Sequence, residues 1–566
     1  MCGISGYFNL THEKIFLDNN VVSILKDSIK DRGPDFKSEL ITENFSLFFS
    51  QLSITGKGHH TLQPYSQNKT HVVYNGEIYN FIRLAKQYTL FDLEENSCDG
   101  QILIPLIRRM GLTKALRELN GAFALVMIDD DNIFLSRDIL GKKPLYYLIQ
   151  NGVLFFSSNV LGLMRIKRDI ELNFNVIADY FMFKSSGYES SFIKGIFEVP
   201  AGGFLWFDRN KRGHVSIKYH SFSTEKKQVE DEEVMASLVD AVFLRSRHSR
   251  PIASLLSGGL DSSIINYLLK LSHVEFDAYT IGSDDGYKFD EIPLAKVFAS
   301  QYGIKHTPLL LNEHEIPSLL EESVLSMEQP VQDPIIVNSL ALAKQINKNH
   351  RVLITGDGAD ELWYGYSRYS DLMNTGWSAY FRSLILFTRD EIRIKDYDIA
   401  HYFGGNIPSV DIESVTRKEM EIRFKNYHLT RMDRIFMKNG IETRSPFLDP
   451  THMQLAILVS SADKFQNGIG KYLLRKIFSS YLGHEISYRK KQPFTFQFHF
   501  LKNKEIFNYF ALPLFDKNSV VHDYLFLDDL KNKCLRVEDW NMHDFNKLWS
   551  VKVFDLWYKN VYQECL

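Results

Sequence analysis

The sequence predicts two domains, an α+β domain followed by an α/β domain. Its 566 residues exceed what one hydrophobic core usually serves. Up to about residue 210 the apolar runs are short and punctuated by turn residues, as in packed antiparallel strands. Farther on, strands alternate with helical stretches and open into glycine-containing loops. The polar run from Thr224 to Glu233 marks the change, so the boundary falls between about 210 and 232, with domains over about 1–215 and 230–566.

In the first domain, Gly121 to Ile128 reads as an apolar strand, Asp129 to Asn132 as a turn and Ile133 to Arg137 as its hairpin partner. Val153 to Ser157 is a further strand, and Pro200 to Gly203 leads into another at Phe204 to Phe207. In the second domain, the strand Ile252 to Leu256 enters Ser257-Gly258-Gly259-Leu260-Asp261-Ser262-Ser263 before a helical stretch, Ile264 to Leu269. Phe276 to Ile281 is the next strand, and Arg351 to Thr355 is a third that opens into Gly356-Asp357-Gly358-Ala359-Asp360-Glu361. The alternation predicts a doubly wound parallel sheet with ligands at the carboxyl ends of its strands. The aromatic-rich segment from Asn503 to Leu566 is expected to be helical and to pack on the second domain.

Composition narrows the function. With 66 Lys and Arg against 69 Asp and Glu and no long run of one sign, an electrostatically driven nucleic-acid binder is disfavoured. Four scattered cysteines (Cys2, Cys98, Cys534, Cys565) form neither a disulfide framework nor a Cys-x-x-Cys metal site. No apolar run is long enough to span a membrane, and the start lacks the regions of a signal peptide, so a reducing, cytoplasmic setting is expected.

Cys2 follows the opening methionine. Cleavage of Met1 would put an α-amine beside the thiol, and an amine titrating near ~8 can act as base to its own nucleophile. Behind it come Asp31-Arg32-Gly33-Pro34-Asp35, Asn75-Gly76-Glu77-Ile78-Tyr79-Asn80, Cys98-Asp99-Gly100, Arg137-Asp138 and Gly141-Lys142-Lys143-Pro144-Leu145-Tyr146-Tyr147. On these motifs the chain resembles the glutamine amidotransferase domains with an N-terminal cysteine nucleophile. The resemblance implies an αββα sandwich of the Ntn-hydrolase type.

The loop from Ser257 to Ser263 suits a pyrophosphate. Its glycines let the backbone approach an anion, the following helix adds its positive end, and Ser257, Ser262 and Ser263 add hydroxyls. It differs from the Gly-x-x-x-x-Gly-Lys-Ser/Thr loop and resembles the PP-loop of ATP pyrophosphatases, which leave an adenylate. Such chemistry calls for Mg2+, for which Asp261 and Asp360 are the candidate carboxylates; Asp261 could instead cap its helix. Asp357, flanked by glycines at a strand end, suits a group near a reacting carbonyl, or a support for the turn.

With Arg431-Met432-Asp433-Arg434, Gly440 to Asp449 and Lys471-Tyr472-Leu473-Leu474-Arg475, the order and spacing resemble the glutamine-hydrolysing asparagine synthetases from Cys2 to about Phe494. The resemblance implies that Cys2 attacks the glutamine amide while Asn75 and the Gly76 N–H hold the oxyanion. It places glutamine against Gln51, Leu52, Ser53, Ile54, Thr55, Asn75, Gly76, Glu77 and Asp99. It places ATP against Leu256, Ser257, Gly258, Gly259, Asp261, Ser262, Ser263, Ile281, Thr355 and Gly356, with Asp357 and Lys471 catalytic. Read alone, Lys471 and Arg475 are exposed helix charges. Aspartate would be adenylated and then amidated, with water excluded and ammonia passed internally. A homodimer follows by analogy only.

Three departures stand out. Gln51 replaces the family's usual arginine, which grips the glutamine carboxylate, and loses a contact worth ~1.5–3 kcal/mol. Asp357 is often glutamate in the family. Asn159 and Arg431 stand where glutamate and lysine are common. The alternative acceptor is another carboxylate, such as a sugar uronate in surface-polysaccharide synthesis. Cys2, Asn75, Gly76 and Asp99 argue against a β-lactam synthetase-like cyclase, and the whole Ser257 to Ser263 loop argues against a scaffold.

Overall fold

The computed structural model describes residues 2–566 apart from 16, 57–60, 92–96, 189–190, 212, 248–249, 284–290, 491–498 and 537–539. Its first unit contains two six-stranded antiparallel sheets. One comprises β1 (Cys2–Asn9), β2 (Phe36–Ile41), β3 (Phe45–Gln51), β8 (Tyr146–Gln150), β9 (Val153–Ser157) and β10 (Ile196–Glu198), in the order β10-β8-β9-β1-β3-β2. The other comprises β4 (Tyr65–Gln67), β5 (Thr70–Ile78), β6 (Gly121–Asp129), β7 (Asn132–Arg137), β11 (Gly203–Asp208) and β12 (His214–Lys218), in the order β12-β11-β7-β6-β5-β4.

Side chains alternate across a strand, and β6 shows what that builds. Ala124, Val126 and Ile128 join Ile4, Phe8, Leu47 and Phe49 between the sheets. Phe123, Leu125 and Met127 face the other way, onto Leu84 of helix α2 (Phe81–Tyr88) and Leu103 and Leu106 of α3 (Leu103–Met110). On the opposite outer face, Tyr7, Phe48 and Phe155 pack with Leu25 of α1 (Asn19–Ser28) and Leu163 of α5 (Val160–Ile166). The layers are αββα, as the resemblance implies. In this alternation Cys2 belongs with Ile4 and Phe8 on the inner face.

The second unit is organised on a five-stranded parallel sheet of order β15-β14-β13-β16-β17. Its strands are β13 (Ile252–Leu255), β14 (Phe276–Ser283), β15 (Lys305–Leu311), β16 (Val352–Ile354) and β17 (Glu442–Arg444). Both faces are covered, as parallel sheets require. Ile252, Val352 and Ile354 pack on α7 (Asp231–Ser246) and α8 (Leu260–Leu271), through Leu238 and Leu268 among others. Ala253 and Leu353 face the helices Ile335–Ile346 and Thr430–Lys438.

Three features differ from the sequence expectation. Helix α8 begins at Leu260, so Asp261, Ser262 and Ser263 occupy its first turn instead of the loop before it. Two strands carry no simple apolar signal: β15 is a half-exposed edge strand holding Pro308, which an edge tolerates, and β17 is a fully buried three-residue strand with two charges. The C-terminal segment is helical but packs on both units. Its helix Met542–Trp557 offers the Ser550 carbonyl to the Tyr180 hydroxyl at 2.8 Å, and the Trp557 indole donates to the Glu328 carbonyl at 3.0 Å.

Candidate functional site

Cys2 is placed by β1, whose partner β3 sets Cys2 opposite Gln51. Its main-chain nitrogen donates to Asn75 Oδ1 at 3.2 Å. The other end of that amide, Asn75 Nδ2, is buried with no hydrogen-bond partner among the described residues. An unpaired buried donor is costly, and one beside a nucleophile is suited to a developing oxyanion. Gly76 follows in β5 with φ +157°, and a Cβ there would run into the Ala122 carbonyl. Burial pushes the Cys2 thiol up to about 11, so the thiolate needs an adjacent base.

The sequence-predicted glutamine residues converge on this strand end. The Leu52 N–H donates to the Cys2 sulfur. Thr55 hydrogen-bonds Glu77, the Ser53 N–H donates to Asp35 at 2.8 Å, and the Ile78 N–H donates to Asp99 Oδ2 at 2.8 Å. Ile54 is buried beside them. Burial, reinforced by Asp99, holds the Glu77 carboxyl above its ordinary range, and burial does the same to Asp99. Two buried carboxyls held this way would be stabilised in their charged form by a neighbouring cation. Gln51 itself is buried and bonded to Thr61, with Nε2 donating to the Thr61 carbonyl at 3.4 Å.

Motif residues without an assigned role in the sequence tie the units together. Arg32 reaches the Cys2 carbonyl at 3.5 Å with Nε and Asp433 at 2.8 Å with Nη1. Lys143 reaches the same carboxylate at 3.1 Å. Burial opposes the Asp433 charge, but Arg32 and Lys143 outweigh it and hold the carboxyl far below its usual range. The neighbouring Arg434 donates to the Ser158 carbonyl and the Tyr146 hydroxyl, both at 2.9 Å. Arg444 lies 3.5 Å from Glu77 and 2.8 Å from Glu442. One residue on, Ser445 lies 3.1 Å from the Thr355 hydroxyl, which donates to Asp357 at 2.6 Å. Lys142 donates to the Thr443 carbonyl at 2.8 Å, and burial, with Lys143 beside it, pushes its amine down to about 7.

At the carboxyl ends of β13 and β16 a cavity of about 390 Å3 opens between the two predicted loops. Leu256 through Ser262, Ile281, Thr355, Gly356, Asp357 and Asp360 line it. The Ser257 and Ser262 hydroxyls meet at 2.9 Å and fold the loop back on itself. Ser263 corrects the sequence expectation: fully buried, it does not line the cavity, because each residue along α8 turns its side chain by about 100°. Asn159 and Arg431 also find partners. Asn159 caps α5 by accepting from the Leu161 N–H at 2.8 Å, and Arg431 pairs with Asp333 inside the second unit.

Lys471, readable in isolation as an exposed charge, is 3% exposed. It lies 2.5 Å from both Asp261 and Asp360. Burial works against its charge, but the two carboxylates outweigh it and hold the ammonium above its ordinary value. Gly365 makes the room, since a Cβ there would strike the Asp360 carboxylate and the Lys471 stem. Asp261 Oδ1 is buried without a hydrogen-bond partner. A carboxylate pair with a spare buried oxygen, opening on the Ser257 to Ser262 loop, fits Mg2+, which takes few protein ligands and fills its shell with water and phosphate.

A cysteine at position 2 of an αββα sandwich, joined to a PP-loop parallel sheet, defines a glutamine-dependent, ATP-using ligase. The model of the glutamine amidotransferase domain matches residues 1–220, and that of the asparagine synthase family matches residues 233–559. The chain belongs to the asparagine synthase family. It is 26% identical over 627 residues to asparagine synthetase [glutamine-hydrolyzing] 1 of Bacillus subtilis, covering 99% of this chain and 96% of that one. It is 28% identical over 401 residues to a putative asparagine synthetase [glutamine-hydrolyzing] 2 of Methanocaldococcus jannaschii, covering 65% and 76%. With asparagine synthetase B [glutamine-hydrolyzing] of Escherichia coli the figures are 24% over 523 residues, 88% and 82%.

Proposed function

We propose that the chain is a glutamine-hydrolysing asparagine synthetase, with a glutaminase domain over about 1–215 and a synthetase domain over about 230–566. With Met1 removed, the Cys2 nitrogen that now donates to Asn75 becomes the α-amine, which takes the thiol proton. The sulfur attacks the glutamine carboxamide. Asn75 Nδ2 and the Gly76 N–H hold the oxyanion while Glu77 and Asp99 receive the substrate ammonium. The C–N bond breaks, ammonia leaves with the proton, and water then releases glutamate from the thioester.

In the second domain the β-carboxylate of aspartate attacks the α-phosphorus of ATP and pyrophosphate leaves. Ser257 to Ser262 cradle the phosphates and Lys471 offsets their charge. Asp261 and Asp360 would hold Mg2+, which supplies charge neutralisation on the phosphates when bound. Ammonia attacks the acyl-adenylate carbonyl, Asp357 accepts a proton, and AMP departs. The observation that carries this reading is β17 and its exit: within two residues Arg444 touches the Glu77 side and Ser445 the Asp357 side.

The test is pyrophosphate release with ATP, magnesium and glutamine, with and without aspartate, and mass identification of the product. Aspartate-dependent pyrophosphate with asparagine is expected. Glutaminase activity without aspartate-dependent pyrophosphate would contradict the acceptor and turn the search to another carboxylate, such as a sugar uronate.

A further inference from the structure

A second cavity, of about 310 Å3, lies at the junction of the two units. Leu140 lines it from the first, His220 from the connection between them, and Met420, Met453 and Lys464 from the second. Its size falls in the range of small-molecule sites. It shares one wall with the nucleotide cavity, at Glu361, but the phosphate loop, Asp357 and Lys471 lie outside it.

The charges around it do not balance locally. Lys464 is 3% exposed, and its ammonium has no hydrogen bond or ion pair among the described residues. Its close neighbours are aromatic, with the Tyr364 ring centroid at 4.7 Å and that of Trp363 at 5.8 Å. Burial, reinforced by Lys226, pushes its amine down to about 7. The carboxylate facing it, Glu413, is already engaged by Lys226 at 2.9 Å and by the Ser461 hydroxyl at 3.1 Å. The remaining acids are also engaged: Glu421 with Lys418 at 3.4 Å, and Glu361 with the Tyr366 hydroxyl at 2.7 Å. Lys425 is matched by Glu198 at 2.8 Å. What is left over is cationic or a donor. His220 Nε2 is buried without a hydrogen-bond partner, and the exposed Arg417 stands at the rim, where the equally exposed Asp411 feels its charge.

A buried lysine with no counter-charge costs free energy that an incoming anion recovers. We propose that this cavity binds a small organic anion, a carboxylate or phosphate ester with an apolar body. Its acidic group is received by Lys464 and by His220 in the Nε2–H tautomer, and its body lies against Leu140, Met420 and Met453. The inference uses the ATP assignment only to keep probes out of the other cavity.

The test is calorimetric titration of benzoate and of phenyl phosphate into the full-length protein saturated with magnesium and α,β-methylene-ATP. Affinity for that nucleotide is measured first; its absence would contradict the ATP assignment and not this site, and the titrations would then be read without it. Saturable binding is expected, weakened at least tenfold in Lys464→Met and severalfold in Arg417→Gln, with nucleotide affinity held within about twofold. Preference for benzoate identifies a carboxylate site, and preference for phenyl phosphate a phosphate-ester site. No saturable heat from either probe, or unchanged affinity in Arg417→Gln and in a folded Lys464→Met, would overturn the proposal. Arg417 stands exposed at the mouth of the cavity, so if Lys464→Met fails to fold, unchanged affinity in Arg417→Gln alone overturns the proposal.

Discussion

The nucleotide cavity and the cysteine pocket are built by opposite strategies. The first is local: the seven residues after β13, Leu256 to Ser262, and all but Ala359 of the seven after β16, Thr355 to Glu361, line it, and the parallel sheet places both loops at one edge. The second is assembled at long range, from β1, the exit of β3, β5 and the turn at Asp99, and it leans on the other unit through Arg32, Lys143 and Asp433. A local site fails when its own residues change. A long-range site also fails when its supports do.

The largest effect separating the two is expected from Asp261→Ala. It should lower pyrophosphate formation at least ~1,000-fold with either glutamine or ammonium as nitrogen donor, about 4 kcal/mol of barrier. Glutamate release should stay within about threefold. A parallel collapse of glutaminase activity would show that the cysteine pocket depends on the nucleotide cavity more than the contacts suggest.

Asp433→Asn strikes the support. Arg32 and Lys143 would remain buried beside a neutral amide, and breaking such a cluster costs about 3–5 kcal/mol. Urea unfolding should show the loss, with glutaminase activity falling before ammonium-dependent synthesis. Synthesis falling first would reverse the comparison.

Gln51→Arg sharpens it from the other side. A guanidinium facing a substrate carboxylate is worth ~1.5–3 kcal/mol, so the KM for glutamine should drop roughly tenfold or more while that for ATP stays fixed. An unchanged glutamine KM would mean that another cation already holds the carboxylate.

The smallest effect is the pH dependence of stability near neutrality. Asp433 and Glu198 have folded pKa values below their unfolded ones; Glu198 lies at about 2 because Arg137 and Lys425 outweigh the burial that opposes its charge. Their contributions are therefore present above the unfolded carboxyl pKa near ~4 and are lost as pH falls toward the folded values. Between pH 7 and 4 each should cost less than about 1 kcal/mol, with a steeper fall below. Urea midpoints measured against pH check this, and Asp433→Asn should flatten the acid limb.

The same contrast explains what was legible in the sequence. The turn from Ser257 to Ser262 could be read directly because a strand, its exit loop and the following helix are written in consecutive residues. Cys2 with Asn75, Gly76 and Asp99 could be read only as a family pattern, since nothing in their spacing tells that β1 and β5 face each other. The burial of Lys471 was hidden because its partners, Asp261 and Asp360, lie far away in sequence. Ser263 was misplaced by starting α8 too late. The role of β17 was hidden most deeply: Glu442 and Arg444 look like surface charges, yet both are fully buried and paired with each other, and Arg444 also donates to the Arg245 carbonyl of its own unit and lies 3.5 Å from Glu77 of the other. Charged residues inside a short motif that also carries apolar Ile441 and Phe447 were the available signal.

The measurement closest to the central claim, two separable chemistries joined through β17 and Asp433, is product formation by Cys2→Ala with glutamine and with ammonium. The account predicts that glutamine-dependent amide falls at least ~1,000-fold while ammonium-dependent amide stays within about twofold. Loss of both in a folded protein, or retained use of glutamine, would contradict it.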